Sequence, residues 1–333
     1  MRKTPAWWIL ALAAGWLGVE PARGQGFVIP DSRDKVSVRV EASHQRVAPG
    51  TIELRVGALS ESAWIRCPGG VTLVPIMKGR VFLLMMTAVL GMQAEERAEA
   101  LAAAGVAKFQ AAYEAWDGSR FAAAAGLFQQ AISHAPNASS YHYWLGVAHF
   151  HHLLQLQTQP GASTHTPAAR TAMDAALAAL RTAVKLDEQD AESHALLGTL
   201  YGMRIDGNLI RAARFGPRVQ AHRNRATQFG SDNPRVHYLL GICQFHTAKN
   251  PAALCDTLAS FLTAEEFFAA EAQRAAGPLE PRWGRSSCLT FTGRTYELLG
   301  ERALAAEVFR RALALHPADH VASEGLARVT DKE

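Results

Sequence analysis

The sequence has few cysteines and lacks the common short catalytic motifs. No Cys-x-x-Cys pair occurs among its four cysteines, Cys67, Cys243, Cys255 and Cys288, which excludes a thioredoxin-like motif and a zinc ribbon. The patterns G-x-S-x-G, H-E-x-x-H, G-x-x-x-x-G-K-[ST] and G-x-G-x-x-G are also missing. We therefore predict no catalytic residue, no metal site and no cofactor, and we expect that the protein is not an enzyme.

Charge is sparse and unevenly distributed. Charged side chains make up 19% of the 333 residues, with 34 Lys and Arg against 30 Asp and Glu. Residues 1–94 hold 11 basic and 6 acidic side chains, whereas residues 95–333 hold 23 and 24. A body so close to neutral lacks the electrostatic footprint of a nucleic-acid-binding protein. No nucleic-acid partner is expected.

Two segments have the pattern of a secretory signal. In residues 1–24, basic residues precede an apolar run, and Ala22 and Gly24 stand at the small-residue positions of a cleavage site. Residues 77–94 repeat this pattern, with Met77 before a basic stretch and an apolar run. Each apolar run is shorter than the ~20 residues that a membrane span needs. We expect an exported protein, periplasmic or secreted, with no stable membrane span in its mature chain.

The second signal leaves two interpretations of residues 1–76. In the favoured one, Met77 is the functional start, residues 1–76 are an over-extended reading frame, and the mature domain is 95–333. In the other, residues 25–76 are a small extension. The alternating stretches 36–40, 51–56 and 63–66 predict short strands and favour this second interpretation.

From Glu95 onward the chain predicts an all-α body built of repeats. Long Ala-rich and Leu-rich runs have a period near 3.6, with almost no β-branched alternation. A repeated pattern places Gly146, Gly198, Gly241 and Gly293 at one position of successive first helices. The step from a second-helix alanine to the next such glycine is 15 residues three times: Ala131 to Gly146, Ala183 to Gly198 and Ala226 to Gly241. A constant step of this kind indicates stacked helical hairpins.

The last copy of the pattern is the most complete. It consists of Leu289, Gly293, Tyr296, Ala305, Phe309 and Pro317, and it resembles the tetratricopeptide repeat (TPR). With the partial copies upstream, residues 100–330 resemble exported bacterial TPR proteins of unassigned activity. The resemblance implies an all-α TPR-like superhelix of four to five hairpins that binds a protein or peptide partner. Repeat packing is expected at the four glycines and at Tyr296, Ala305, Phe309, Ala312 and Pro317.

Two sets of residues are candidates for partner binding. First helices line the concave face of such arrays, and this register predicts the following residues there: Tyr143, Val147, Phe150, Arg235, Tyr238, Ile242, Arg294 and Glu297. The second set is an Arg-rich hairpin in which only Asp206 opposes six arginines: Arg204, Arg211, Arg214, Arg218, Arg223 and Arg225. Grouped guanidinium groups suit carboxylate or phosphate ligands. The competing interpretation is a solvated helix face paired to Glu265, Glu266 or Glu271.

Histidines and cysteines leave two smaller questions. His142, His149, His151 and His152 lie close together and could hold a metal ion. However, His142, His194 and His237 recur at one repeat position, which favours a structural role. Cys243 and Cys255 flank one predicted turn, so either a disulfide or two free thiols would fit an oxidising compartment.

These features favour a non-catalytic protein–protein interaction or scaffold module of the bacterial cell envelope. The alternative is an enzyme, or an accessory subunit of one, that acts on an anionic envelope substrate. The partner's identity and the oligomeric state do not follow from the sequence.

Overall fold

The chain divides into two compact units, Met1–Leu90 and Gly91–Glu333, in a computed structural model. The structure describes residues 28–30, 37–41, 52–58, 61–67, 79–158 and 166–330. The signal-like segment 1–24 and most of the insertion at 157–166 lie outside the described residues.

The first unit contains a four-stranded antiparallel meander. Its strands are β1 (Val28–Pro30), β2 (Ser37–Glu41), β3 (Ile52–Ala58) and β4 (Glu61–Cys67), paired in chain order. Val40 lies opposite Val56, and Leu54 lies opposite Ile65. The three alternating stretches fall on β2, β3 and β4, so the expectation of short strands there is confirmed.

Helices make up the rest of the described chain. The first, α1, covers Gly79–Ala115 and therefore includes most of the second signal-like segment. Ten more helices follow: α2 (Gly118–His134), α3 (Ser139–Gln157), α4 (Pro167–Leu186), α5 (Ala191–Ile205), α6 (Leu209–Phe229), α7 (Pro234–Thr247), α8 (Pro251–Ala272), α9 (Arg285–Leu299), α10 (Arg302–Leu315) and α11 (His320–Thr330).

Consecutive helices of the second unit pack as hairpins. Helix α3 packs on α4, α5 on α6, α7 on α8 and α9 on α10, and α11 packs on α10. This all-α, TPR-like helical-hairpin solenoid is the fold class that the repeat spacing predicts. Side chains at the turns fix where helices begin: Asp190, Asn208 and Asn233 each accept a hydrogen bond from a backbone N–H of the first turn of α5, α6 and α7.

Three of the repeated glycines touch the partner helix of their own hairpin. A Cβ atom at Gly146 would lie 2.5 Å from Leu180 Cγ, and one at Gly293 would lie 2.7 Å from Phe309 Cε1. Gly241 meets Phe261 in the same way, at 2.5 Å. Only a residue without a side chain lets these helices approach so closely.

The hairpin of α5 and α6 departs from this pattern. The nearest atom to a Cβ at Gly198 would be Arg223 Cγ at 3.6 Å, an ordinary contact, so this position does not demand glycine. A further hairpin is formed by α1 and α2, of which the repeat pattern marked only α2, through Ala131. There Gly105 faces Phe128, whose Cε1 atom would be 2.7 Å from an added Cβ.

The last hairpin has its own small core. Ala305, Phe309 and Ala312 are fully buried, and α11 covers them with Ala322 and Val329. Tyr296 is half-buried against this core, and Pro317 lies in the turn between α10 and α11.

Candidate functional site

Five of the eight residues expected on an open concave face are buried instead. Tyr143, Val147, Phe150, Arg235 and Tyr238 have exposed fractions of 7% or less. This corrects the expectation that they offer a surface to a partner. The register of the helices is as the repeat predicts, but the chain itself covers the face.

Residues 277–284, between α8 and α9, contact Tyr143, Arg235 and Tyr238, and we call them the inner segment. The indole N–H of Trp283 donates a hydrogen bond to Tyr143 Oη at 3.0 Å, and Trp283 is 3% exposed. In the other direction, the indole N–H of Trp144 donates to the backbone carbonyl of Leu279 at 2.9 Å. Two buried tryptophans thus fasten the inner segment to α3.

A buried ion cluster lies beside the inner segment. Arg235 Nε donates to Glu192 Oε1 at 2.7 Å, and Arg235 Nη2 donates to Glu271 Oε2 at 2.5 Å. Glu192 also accepts hydrogen bonds from the Tyr143 hydroxyl and from Asn233 Nδ2. Burial and the adjacent Glu192 carboxylate raise the pKa of Tyr143 well above its ordinary value, so the phenol stays protonated and donates.

The other three expected concave-face residues are half-buried and have partners within the unit. The Arg294 guanidinium lies 4.9 Å from the ring centroid of Phe245, a cation–π contact. Glu297 accepts a hydrogen bond from Arg328 Nε at 2.8 Å, and Arg328 holds the pKa of this carboxyl below its usual value. Ile242 packs against the core. None of the three presents an open binding group.

Most of the arginines of the Arg-rich hairpin are exposed to solvent. Its residues span the end of α5 and most of α6, with Arg204 and Arg223 half-buried. The other four are exposed: Arg211, Arg214, Arg218 and Arg225. Two of the three carboxylates considered as their partners bond elsewhere: Glu265 pairs with Arg285 and Arg311, and Glu271 with Arg235.

Three guanidinium groups of this hairpin gather around one aromatic ring. The Cζ atoms of Arg204, Arg214 and Arg218 lie 5.9, 5.4 and 5.9 Å from the centroid of Phe215. Burial, together with the neighbouring charges of Arg214 and Arg218, lowers the pKa of Arg204. Arg204 pairs with Asp174, and Arg211 Nη1 lies 3.8 Å from Asp206 Oδ2. Cationic groups are thus held close together around Phe215, where an anionic ligand would relieve their repulsion.

An exposed apolar pair adjoins these arginines and was missed by the sequence analysis. Leu209 and Ile210, at the start of α6, are 85% and 82% exposed. Scattered exposed leucines need no explanation, but two adjacent apolar side chains beside a cationic surface are typical of a contact site. The signal available in the sequence was Asn208 as a helix cap directly before two large apolar residues.

The recurring histidines bind the turns between hairpins. In each case a ring nitrogen bonds to the backbone carbonyl of the residue six positions earlier, with His142, His194 and His237 on Pro136, Glu188 and Ser231. His151 is buried, and its Nδ1 bonds to the Val147 carbonyl at 2.9 Å. No group of three or more metal-ligating side chains occurs in the part of the chain that the structure describes.

The cysteines and the helix lengths bear on two expectations from the sequence, a possible disulfide and the lack of a membrane span. Cys243 is half-buried and Cys255 exposed, and both are free thiols, as is the buried Cys288. Among the described residues, no helix is long and apolar enough to cross a membrane.

Hairpin geometry and site together define a TPR-like repeat array with a filled inner face and a cationic hairpin. No family model matches the sequence, and no curated protein matches it. Among solved structures, the APC/C hetero-tetramer Cut9–Hcn1 aligns at 15% identity and TM-score 0.49 over 75% of this chain and 40% of the matched chain. The thermophilic TPR protein TTC0263 of Thermus thermophilus aligns at 14% identity and TM-score 0.47, over 68% of this chain and 98% of the matched chain. The TPR protein YrrB aligns at 14% identity and TM-score 0.32, over 62% of this chain and 83% of the matched chain.

Proposed function

We propose that this protein is a non-catalytic scaffold module of the bacterial cell envelope that binds an anionic protein or peptide partner through its Arg-rich hairpin. The observation that carries the proposal is a contrast between two surfaces. The face expected to be concave is filled by the inner segment, whereas Arg211, Arg214 and Arg218 are exposed on α6.

The chemistry of the hairpin supports recognition of a carboxylate or phosphate rather than simple hydration. A guanidinium group offers a planar fork of donors that matches either anion with two hydrogen bonds. The hairpin uses arginine throughout and contains no lysine between Arg204 and Arg225. Stacking on Phe215 keeps three of these side chains in place, so that a partner has less side-chain motion to arrest when it binds.

Charge reversal tests this proposal. We expect that Arg214→Glu with Arg218→Glu abolishes crosslinking of the partner in envelope extract, since attraction becomes repulsion. The matched control, Arg170→Glu with Arg310→Glu, makes the same change in net charge at exposed arginines elsewhere and should retain the crosslink. Circular dichroism checks that both variants keep their helices. A partner retained by the hairpin variant would refute the proposal.

The salt dependence of partner binding gives a second measurement. Exposed charge contacts are screened over a Debye length of ~8–10 Å at 0.1–0.15 M ionic strength, so binding should weaken as salt is added. Binding that does not change with salt would locate recognition away from the arginines.

Export completes the proposal, with Met77 as the start and a mature chain that begins near Glu95. Gly91 to Arg97 are exposed or half-buried, and Ala98 is the first fully buried side chain from Gly91 onward. Cleavage near Glu95 would therefore keep the core contacts of α1 that begin at Ala98. N-terminal sequencing of the natively expressed protein should find a first residue near Glu95, and Gln25 as first residue would refute this start.

A further inference from the structure

The exposed arginines of α6 form a stripe along the helix. Arg211, Arg218 and Arg225 follow one another at seven-residue intervals, and Arg214 lies between the first two. At 3.6 residues per turn, all four side chains fall within about 60° of arc, along about 21 Å of helix. The stripe runs along one flank of the buried face that Phe215 and Ala226 mark, with about 40° of arc between Arg211 and Phe215.

The stripe has one sign of charge. Helix α6 contains five arginines and no acidic residue over its 21 positions. Among the described residues, no ion pair forms at Arg214, Arg218 or Arg225, whereas Arg204 and Arg211 approach Asp174 and Asp206. Three guanidinium groups of the stripe thus retain their full capacity to bind an anion.

One end of the stripe is apolar. Ile210 lies about 40° of arc from Arg214 and so continues the stripe at its N-terminal end, whereas Leu209 lies about 140° of arc from Arg214. Both side chains are more than 80% exposed. Beyond Ile210 the stripe has no large apolar residue, which makes α6 a poor match for the long apolar face of a membrane-surface helix.

We infer that α6 docks an acidic amphipathic helix, one that presents carboxylates at seven-residue spacing and a large apolar side chain at one end. This inference rests on the proposed function and names the chemistry of the partner. A partner helix advances ~1.5 Å per residue, as α6 does, so its seven-residue repeat stays in step with the arginines along the whole stripe. An extended peptide advances ~3.3 Å per residue and would meet the arginines at every third residue instead.

A pair of synthetic peptides tests the geometry directly. The first is a 21-residue helix, the length of α6, with Glu at four positions that match the stripe and Leu at one end. The second has the same composition, with its glutamates spread around the helix. Fluorescence anisotropy should show at least ~tenfold tighter binding of the first peptide by the full chain. Equal affinities would overturn the inference.

Variants locate the contact on the stripe. Arg211→Ala with Arg218→Ala and Arg225→Ala should reduce the affinity for the first peptide to that for the second, and Leu209→Ala with Ile210→Ala should weaken it by at least ~threefold. The control, Arg170→Ala with Arg310→Ala, should bind as the wild type does. Peptide binding that is unaffected by the stripe variant would overturn the inference.

Vesicles and a nucleic-acid duplex test whether a different anionic ligand binds the stripe more tightly, and the native partner tests the proposed function separately. Tighter binding to vesicles with ~30% anionic lipid or to a ~20-base-pair duplex than to the first peptide would overturn the inference. If the native partner requires Arg214 and Arg218 but the two peptides bind equally, the helix geometry fails and the proposed function stands. If the native partner ignores the charge reversal, the proposed function itself fails.

Discussion

At the scale of single residues, Arg235 is the most unusual side chain of the second unit. It is 3% exposed, and two carboxylates and a backbone carbonyl surround it. Charges taken out of water are costly, and this cost is offset only when every donor and acceptor has a partner. The Glu192 carboxylate meets that condition through Arg235, Tyr143 and Asn233. The cluster therefore specifies how α5, α7 and the end of α8 meet.

Removal of Arg235 should be strongly destabilising. Arg235→Leu leaves Glu192 buried without its counter-charge and Glu271 with only Arg282 at 3.9 Å. We expect a loss of about 3–5 kcal/mol in the free energy of unfolding, measured in urea. The control is Arg274→Leu, which removes an exposed pair with Glu280 at 3.9 Å and should cost less than about 1 kcal/mol. Similar losses in the two variants would contradict the description of the cluster.

His151 predicts how stability depends on pH. Burial lowers the pKa of His151 from 6.5 to about 4. Between about pH 4 and pH 6.5 the unfolded chain therefore binds a proton at this histidine and the folded chain does not. Because of this difference, the free energy of unfolding falls as the pH drops below 6.5. The slope from this one residue is about 1.4 kcal/mol per pH unit.

His151→Phe should remove this part of the pH dependence. Unfolding in urea at pH 7.5 and at pH 5 should give a smaller difference for the variant than for the wild type. The pH 7.5 measurement is the internal control, because the histidine is neutral there in both states. An unchanged difference would mean that His151 titrates alike in the folded and unfolded chains.

At the scale of helices, the contact between paired glycine and aromatic residues decides how closely a hairpin closes. Gly293→Ala places a methyl group 2.7 Å from Phe309 Cε1 inside a packed core, and we expect a loss of about 1–3 kcal/mol in thermal or urea unfolding. Gly202→Ala is the matched control in another first helix, α5, where no atom lies within 4 Å of the added group. That variant should gain about 0.5–1 kcal/mol from helix propensity. Stabilisation of both variants would contradict the packing of α9 on α10.

The same glycines show why the helices could be predicted and the site only in part. A 15-residue step between Ala226 and Gly241 reports contacts between neighbouring helices, which recur in every repeat and so leave a period in the sequence. The inner segment occurs once and has no period. The sequence therefore contains no sign that this segment covers Tyr143 and Arg235, and both residues were predicted to be accessible. The Arg-rich hairpin was visible because its composition alone is unusual.

At the scale of the whole second unit, the inner segment joins helices that are far apart in sequence. Trp283→Ala removes the hydrogen bond to Tyr143 and leaves a cavity against His151, and we expect a loss of about 3–5 kcal/mol in urea unfolding. The variant should also bind a hydrophobic dye at the uncovered face. Leu298→Ala, at a side chain 60% exposed, is the control and should change neither measurement. A Trp283 variant as stable as this control would show that the inner segment is not held in place.

A second set of contacts brings the first described helix to the last hairpin. Tyr113 and Ser287 share a hydrogen bond of 2.9 Å, and His316 Nε2 bonds to the Glu114 carbonyl at 2.9 Å. In an ordinary repeat array each hairpin contacts only its neighbours, so the ends can fray while the middle stays folded. Here the first helix, the interior and the last hairpin are bonded to one another, and loss of the inner segment together with α9 would release both α3 and α1. The unit should melt in a single transition and resist trimming to a shorter set of repeats.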